Sequence, residues 1–273
     1  MLLHNTPLED YRAEFGLMVK REDMSCPPPG PPFSKTRGVF AHVKNRPEQI
    51  IGVLDTYHSQ AGQAVAYACS LLGKQCINFY PEYKNEPGPR APQLNAQALG
   101  AKLVGIPAGR SFILFHQAKK QLPEGAYMMP NALKLPEMVD ETAAEARLTL
   151  ESHPTLGIKK KSPVLIAISS GTIAAGVIKG LRAGGETERK FILHMGYSRP
   201  RMPTLKYIAG LVGEEYRSLN IQIVDEDYQY KQQARPGRKP SWPCNAYYDL
   251  KAFRWWMDEG RYHHADALLW NIG

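Results

Sequence analysis

The segment from Val164 to Leu181, VLIAISSGTIAAGVIKGL, constrains the fold more than any other part of the chain. It begins with an apolar run of strand length and passes through the polar corner Ser169-Ser170-Gly171-Thr172. Small and apolar residues then recur at helical spacing. The pattern predicts a buried strand, a tight loop and a helix N-terminus. Such a loop presents backbone N–H groups at the positive end of a helix dipole and suits a phosphate group, although an ordinary strand–helix turn shares the pattern.

Strand and helix patterns alternate along the rest of the chain. Helical segments of ten or more residues separate apolar runs such as IIGVLDT (50–56), CINFYP (76–81), FILHMGY (191–197) and DALLWNI (266–272). One of these helices is predicted from Leu205 to Leu219, and the basic segment IKKKSP (158–163) is predicted to be a link. This order predicts an α/β fold with parallel sheets and right-handed crossovers.

Composition and charge narrow the class of protein. A chain of 273 residues with 43% hydrophobic residues is long enough for one large α/β unit or two smaller domains. No apolar run reaches membrane-spanning length and the N-terminus lacks a signal-peptide layout, so we expect a cytoplasmic protein with no membrane partner. The four cysteines and eight histidines lack metal-ligand spacing, and no metal site is predicted. A net charge of +8 favours a polyanionic partner.

Basic loops follow the strands in the second half of the chain. In open parallel sheets, the loops after the strands emerge at one edge, where ligands bind. The serine-glycine-threonine corner is therefore expected to share that edge with SRPR (198–201) and YKQQARPGRK (230–239). Solvated loops carry arginine and lysine in any protein, but this placement makes candidate nucleic-acid contacts of Arg199, Arg201, Arg235, Arg238 and Lys239.

Four segments together resemble a known enzyme family. The segment TYHSQAGQAVAYACSLLGKQCINFYP (56–81) resembles the signature helix of fold type II pyridoxal-phosphate enzymes. FSKTRG (33–38) resembles the Schiff-base lysine segment in the branch of 1-aminocyclopropane-1-carboxylate deaminase and D-cysteine desulfhydrase. SSGTIAAGVIKGL (169–181) and DALLWNIG (266–273) resemble that branch's phosphate loop and closing strand. Because the order and rough spacing of all four agree, the chain is identified as a member of this tryptophan synthase beta-like family.

This resemblance implies a two-lobed α/β fold type II enzyme. Each lobe is expected to be an open, mostly parallel sheet flanked by helices. Residues 1–44 and 160–273 would form the larger, cofactor-binding lobe, and residues 45–159 the smaller lobe. A homodimer is expected, because dimers are common in families with this fold.

The resemblance also implies pyridoxal 5'-phosphate as the cofactor. Lys35 would form the Schiff base with it, and the same amine would move the proton at the substrate α-carbon. The remaining cofactor-binding residues implied are Ser169, Ser170, Gly171 and Thr172 at the phosphate, Gln60 at the 3-oxygen and Asn271 near the pyridine nitrogen.

The departures from the family pattern concern the substrate. Tyr57, His58 and Ser59 stand where the family has the small S-S-G-N loop that grips the substrate carboxylate, so we expect a different carboxylate geometry or a different substrate. The segment between the last two strands is replaced by an aromatic and cationic stretch (230–256), and Tyr228 just before it is a further substrate-binding candidate. Arginine with tyrosine and tryptophan suits phosphates and exposed bases, although such residues also pack in cores.

A short, strongly basic chain of this type is similar to phage-type members that are proposed to act in thymine hypermodification. This favours a pyridoxal-phosphate-dependent lyase that decarboxylates an amino acid attached to a DNA base, with the target nucleotide turned out of the stack and, if phage-encoded, in the host cytoplasm. Two alternatives stay open. One is a deaminase, β-elimination lyase or racemase acting on a free small amino acid, and the other is a non-catalytic nucleic-acid-binding protein with this fold.

Overall fold

The computed structural model describes residues 2–153 and 162–273. The strands in these ranges are β1 (Leu8–Tyr11), β2 (Leu17–Arg21), β3 (Ile50–Leu54), β4 (Gln75–Glu82), β5 (Lys102–Pro107), β6 (Tyr127–Met128), β7 (Val164–Ile168), β8 (Phe191–Met195), β9 (Ile221–Val224) and β10 (Ala267–Asn271). The α-helices are α1 (Arg12–Phe15), α2 (Thr36–Lys44), α3 (Ala61–Leu72), α4 (Ala91–Ala98), α5 (Ser111–Lys120), α6 (Pro136–Ser152), α7 (Thr172–Ala183), α8 (Arg201–Val212), α9 (Asp249–Trp255) and α10 (Arg261–His263). Most of the predicted basic link, residues 158–161, lies outside the described residues.

The first of two compact units comprises Met1–Ser25 and Met138–Gly273. Its six-stranded sheet has the order β1-β2-β10-β7-β8-β9, in which β1 is antiparallel to β2 and the other neighbours are parallel. Every residue of β7, β8 and β10 is buried. Because both faces of these strands are covered, they appear in the sequence as continuous apolar runs, which is why they could be predicted.

Strand β2 was not predicted, because its sequence LMVKR contains two charged residues although all five residues are buried. The ammonium of Lys20 lies 2.7 Å from the carboxylate of Glu145 on α6, and both side chains are fully buried. Lys20 also donates to the carbonyl oxygen of Thr6 at 2.6 Å. This pairing compensates the desolvation of both charges and lets a lysine occupy a strand inside the sheet.

The second unit comprises Cys26–Glu137. Its four-stranded sheet has the order β5-β4-β3-β6 and is parallel throughout. Phe79, Ile106 and Leu114 belong to the apolar core of this unit. The two sheets confirm the predicted α/β fold with a mostly parallel sheet in each lobe. Within the described ranges, no helix has the length and apolar character needed to cross a membrane.

Helix α8 ends earlier than predicted, at Val212 rather than Leu219. Gly213 adopts a left-handed conformation with φ 85°, and its N–H donates to the carbonyl oxygen of Ala209, which is a common glycine termination of a helix. The two units divide the chain after Ser25 and after Glu137. The predicted boundary at 159/160 lies outside the described residues, and the predicted lobe limits stay a prediction.

Candidate functional site

The serine-glycine-threonine corner has the predicted structure. It connects the end of the buried strand β7 to the first turn of α7, and no acidic residue lies in that turn. Gly171 has a φ of 89°, and a Cβ atom there would lie 2.7 Å from Ile208, so glycine is required at this position. The hydroxyls of Ser170 and Thr172 lie 3.0 Å apart. The corner therefore presents hydroxyls and the N–H groups of a helix start to an anion.

Helix α7 is held close to α6 by two glycines. A Cβ atom on Gly176 would lie 2.5 Å from the side chain of Thr142, and one on Gly180 would collide with the carbonyl oxygen of Ala143. Since the helices can approach this closely only with glycine at both positions, the helix that begins at the corner has a fixed place in the first unit.

Asn271 ends β10, the neighbour of β7, and so lies at the same edge of the sheet as the corner. It is fully buried, and its amide nitrogen donates to Asp23 at 2.8 Å and to the carbonyl oxygen of Pro243 at 3.0 Å. Its amide oxygen accepts from the thiol of Cys244 at 3.5 Å. Both ends of the Asn271 amide are therefore already engaged.

Asp249, at the start of α9, is a candidate site residue that was not predicted from the sequence. It is fully buried, and its Oδ1 accepts the N–H of Ile272 at 3.0 Å. Its Oδ2 is buried without a hydrogen-bond partner among residues 2–153 and 162–273. Burial, and secondarily the nearby Asp23, raises the pKa of Asp249 to about 7. A buried carboxylate oxygen without a donor is costly and indicates a position for a ligand donor.

Tyr248 connects the corner to the loop after β8. Its hydroxyl hydrogen-bonds Ser169, and burial raises the pKa of its phenol well above the usual value. Its ring packs directly on Gly196, where a Cβ atom would collide with it. The sequence signal at Tyr248 and Asp249 was the run Tyr247-Tyr248-Asp249 at the start of a helix predicted from Tyr247 to Asp258.

Lys251 also holds the loop after β8 in place. It is fully buried, its ammonium donates to the carbonyl oxygen of Gly196, and it lies 4.3 Å from the ring centroid of Tyr228. Burial lowers the pKa of Lys251 to about 8. Tyr228 itself is 2% exposed, and its hydroxyl accepts the N–H of Arg235 at 3.4 Å. Its assignment to substrate binding stays a prediction.

In the second unit, Lys35 precedes the first turn of α2 and is half-buried. Its carbonyl oxygen accepts the N–H of Val39 at 3.0 Å, and its ammonium lies 5.6 Å from the ring centroid of Phe33. The segment that carries the lysine is thus anchored at the start of a helix whose next residues are buried. Because a helix start has a defined backbone, the fold of the unit sets the position of the Lys35 backbone, from which the side chain extends.

The loop Tyr57-His58-Ser59-Gln60 lies between β3 and α3 in the same unit. His58 is buried, and the hydroxyl of Ser59 accepts the N–H of Ala61 at 3.0 Å. The amide oxygen of Gln60 is buried and has no hydrogen-bond partner within the described part of the chain. Bulky side chains therefore fill the loop that was expected to contact the substrate.

Asp55 stabilises the backbone just before this loop. It is fully buried, accepts the N–H of Thr56 at 2.9 Å, and accepts from the amide of Gln93 at 3.0 Å. Burial raises the pKa of Asp55 to about 6. Since Asp55 accepts the N–H of the residue that precedes the loop, it positions the start of the loop.

The predicted basic residues differ in their surroundings. Arg238 pairs with Glu14 at 2.9 Å, Arg235 lies 3.6 Å from Glu226, and Arg201 lies 4.0 Å from Asp225. Lys239 is exposed. Arg199 is half-buried beside Tyr197, with its Cζ 5.2 Å from the ring centroid. Arg199 therefore differs from the other three arginines, each of which lies near a carboxylate.

Comparison with known proteins gives a family and a close relative. The model of the family described as "Pyridoxal-phosphate dependent enzyme" matches residues 1–209. The "Glycyl-dTMP PLP-dependent decarboxylase" of Pseudomonas phage M6 is 48% identical over 284 residues, and the match covers 100% of both chains.

Solved structures with the same fold are similar at low sequence identity. An ACC deaminase homologue superposes with a TM-score of 0.76 at 18% identity, covering 98% of this chain and 89% of the other. The diaminopropionate ammonia lyase of Escherichia coli has a TM-score of 0.67 at 15% identity, covering 99% of this chain and 83% of the other. These similarities confirm the predicted fold type II architecture.

Proposed function

We propose, because this chain belongs to the family of pyridoxal-phosphate dependent enzymes, that it is a lyase that decarboxylates a glycyl unit carried on a thymine nucleotide. The observation that carries the proposal is the 48% identity to the phage glycyl-dTMP decarboxylase over 100% of both chains. The short, strongly basic chain and its similarity to phage-type members favour the same reaction. The substrate would be an amino-acid group on a DNA base and not a free amino acid.

The buried polar atoms of the first unit fit the cofactor. Asp249 Oδ2 is a buried acceptor without a partner in the described ranges, and a protonated pyridine nitrogen is a donor that would satisfy it. Asn271 already donates to Asp23 and to the carbonyl oxygen of Pro243. We therefore assign the pyridine nitrogen to Asp249 and give Asn271 the role of holding Asp23 in place.

The other cofactor contacts follow the sequence-based assignment. Ser169, Ser170, Gly171 and Thr172 would hold the phosphate at the start of α7, where the helix N–H groups favour an anion. Gln60 would donate its amide N–H to the 3-oxygen. Lys35 would attach the cofactor through its amine and afterwards deliver a proton to the substrate α-carbon. The bound cofactor supplies an electron sink for the pair that remains at the α-carbon when carbon dioxide leaves.

The loop at Tyr57, His58 and Ser59 would face the substrate carboxylate. Decarboxylation turns a charged carboxylate into neutral carbon dioxide, so tight pairing of the carboxylate stabilises the ground state more than the transition state. Bulky side chains, with His58 buried, replace the small residues whose backbone would otherwise grip that group. This favours carbon dioxide loss over proton loss.

DNA would be held by basic side chains at the carboxyl edge of the first unit's sheet. Arg201, Arg235, Arg238 and Lys239 are on exposed loops or helix starts, and phosphate contacts of this kind position a strand without reading its sequence. We also propose a homodimer, and the host cytoplasm as the site of the reaction if the chain, like its relative, is phage-encoded.

The proposal is tested with the purified protein and pyridoxal 5'-phosphate. We expect a visible absorbance band, borohydride trapping of the cofactor on the peptide that contains Lys35, and carbon dioxide release from DNA that carries glycyl-thymine. Release of ammonia or racemisation of free amino acids would favour the alternative enzymes instead. A protein that shows no band but binds DNA unchanged as Lys35→Ala would be a non-catalytic binding protein.

A further inference from the structure

Arg199, in the loop after β8, has hydrogen-bonding capacity that the protein leaves unused. Its Nη1 donates to the hydroxyl of Tyr197 at 3.4 Å. Its Nε and Nη2 are buried and have no hydrogen-bond partner among the residues that the structure describes. These two nitrogens form one edge of the guanidinium, which is the edge that binds two oxygens of one anion side by side. Buried, unmatched donors of a cation are costly, so the position suits an anionic ligand.

The guanidinium lies within a group of tyrosines. The rings of Tyr197 and Tyr230 meet edge to face with centroids 5.1 Å apart, and Arg199 lies over the Tyr197 ring. Tyr248 is close enough to Tyr230, Tyr197 and Arg199 for each to influence the pKa of its phenol. Since the same Tyr248 hydrogen-bonds Ser169, this group adjoins the predicted cofactor phosphate loop.

The loop that carries Arg199 is held by its neighbours rather than by a ligand. The N–H of Gly196 donates to the carbonyl oxygen of Ile168 at 2.9 Å, and the N–H of Ser198 donates to that of Tyr228 at 2.8 Å. Lys251 holds the carbonyl oxygen of Gly196. Because these bonds fix the backbone that leads to Arg199 before any ligand binds, they reduce the entropic cost of binding.

The chemistry of the proposed reaction decides which anion belongs there. A substrate carboxylate bound by the Arg199 edge would be stabilised before carbon dioxide leaves and would lose that stabilisation in the transition state, which slows the reaction. A phosphate keeps its charge throughout and offers two oxygens with the same spacing. Tyrosine rings beside the guanidinium provide the faces and edges on which a pyrimidine can pack.

Resting on the proposed function, we infer that Arg199 together with Tyr197, Tyr230 and Tyr248 forms the subsite for the phosphate and pyrimidine ring of the substrate's thymidylate unit. Arg199 supplies the two-pronged phosphate contact, Tyr197 and Tyr230 flank the base, and Tyr248 connects the group to Ser169. The subsite sets specificity for a nucleotide-borne glycyl group over a free amino acid, and it takes no part in bond breaking.

The test compares binding of thymidine 5'-monophosphate with binding of thymidine by the holoenzyme, measured by calorimetry or by competition against a labelled thymidine trinucleotide. The wild-type protein should bind the monophosphate about 10- to 100-fold more tightly than the nucleoside, as expected for a two-pronged arginine–phosphate pair. Arg199→Gln should abolish this preference, and Arg199→Lys, which keeps the charge but not the paired donors, should retain only part of it.

Arg217→Gln is the matched control, because Arg217 also stacks on an adjacent tyrosine, with its Cζ 5.4 Å from the Tyr216 ring, and carries the same charge. It should keep the full preference. If the trinucleotide but not the monophosphate binds more tightly than thymidine, the bound phosphate belongs to the DNA backbone, and the subsite is supported if Arg199→Gln abolishes that difference. A wild-type protein that binds neither more tightly than thymidine, or a preference that survives in both Arg199 variants, would overturn the inference.

Failure of this inference can be told apart from failure of the proposed function. If carbon dioxide is released from glycyl-thymine DNA while the phosphate preference does not depend on Arg199, only the subsite is wrong. If the preference depends on Arg199 but no carbon dioxide is released, the nucleotide subsite stands and the reaction is wrong. The visible cofactor band of each variant reports whether it has folded, and Arg199→Lys decides the outcome if Arg199→Gln has lost that band.

Discussion

Replacing Asp249 with asparagine should change how the stability of the first unit depends on pH. In the folded, cofactor-free chain, burial raises the pKa of Asp249 to about 7, from 3.8 in an unperturbed carboxyl group. The folded protein therefore keeps a proton that the unfolded chain loses. Between these two pKa values the stability falls as the pH rises, and above about 7 it stays constant. Asparagine keeps the oxygen that accepts from Ile272 and does not ionise.

The size of the effect follows from the pKa shift. Each pH unit within the window contributes about 1.4 kcal/mol, so the wild-type protein should lose roughly 3 kcal/mol relative to Asp249→Asn between about pH 5 and pH 8. Cofactor binding should reverse the order of the two proteins. If the pyridine nitrogen donates to Oδ2, the ionised carboxylate gains its missing partner, whereas asparagine presents N–H groups to a donor.

Urea unfolding followed by tryptophan fluorescence measures this difference, because Trp242, Trp255, Trp256 and Trp270 all lie in the first unit. Without cofactor, the variant should be the more stable protein at pH 8, by a margin that shrinks towards pH 5. With cofactor, the variant should be the less stable one and should release pyridoxal 5'-phosphate more readily. The same margin at pH 5 and pH 8, together with unchanged cofactor affinity in the variant, would refute both the buried carboxyl and its assigned partner.

Three further predictions concern the cofactor and DNA. Lys35→Ala should lose the visible band and the borohydride-trapped peptide while keeping the unfolding midpoint of the cofactor-free protein, and a labelled peptide from elsewhere in the chain would contradict the assignment of Lys35. In urea, Gly171→Ala should have a free energy of unfolding about 1–3 kcal/mol lower than that of Gly185→Ala, because both glycines have a left-handed φ but only a methyl group at position 171 meets Ile208. Equal free energies for the two variants would show that the Ile208 contact is unimportant. Carbon dioxide release from sub-saturating glycyl-thymine duplex DNA should fall about 500-fold between roughly 50 and 200 mM salt if five basic side chains contact phosphates, and a flat salt profile would exclude such contacts.

The parts of the fold that could be predicted from the sequence are the buried strands made of continuous apolar residues. Strands β7, β8 and β10 appear as continuous apolar runs because both of their faces are covered. Strand β2 is equally buried but contains Lys20, whose partner Glu145 is distant in the chain and comes close only after folding. A single sequence does not show that such a charge will be neutralised, and so the strand was missed.

The candidate site likewise contains residues that could be predicted from the sequence and residues that could not. The corner from Ser169 to Thr172 could be predicted because strand, glycine and helix start are local signals. Asp249 could not, because what distinguishes it is a buried oxygen without a donor, and this is a property of its three-dimensional surroundings. The sequence likewise gave no reason to distinguish among the five basic candidates. In the structure, three of the arginines lie near the carboxylates of Glu14, Glu226 and Asp225, and Arg199 does not belong to these pairs.

Tyr248 touches both the corner that begins α7 and the loop that carries Arg199, through Ser169 on one side and Gly196 on the other. A molecule that binds at the corner and displaces this phenol also changes the loop that carries Arg199, and a molecule that binds at that loop changes the corner in the same way. The two occupancies are then thermodynamically linked, so any factor by which a nucleotide tightens retention of the cofactor must equal the factor by which the cofactor tightens the nucleotide. A single aromatic side chain would thus couple retention of the cofactor to binding of the nucleotide, by the same factor in both directions.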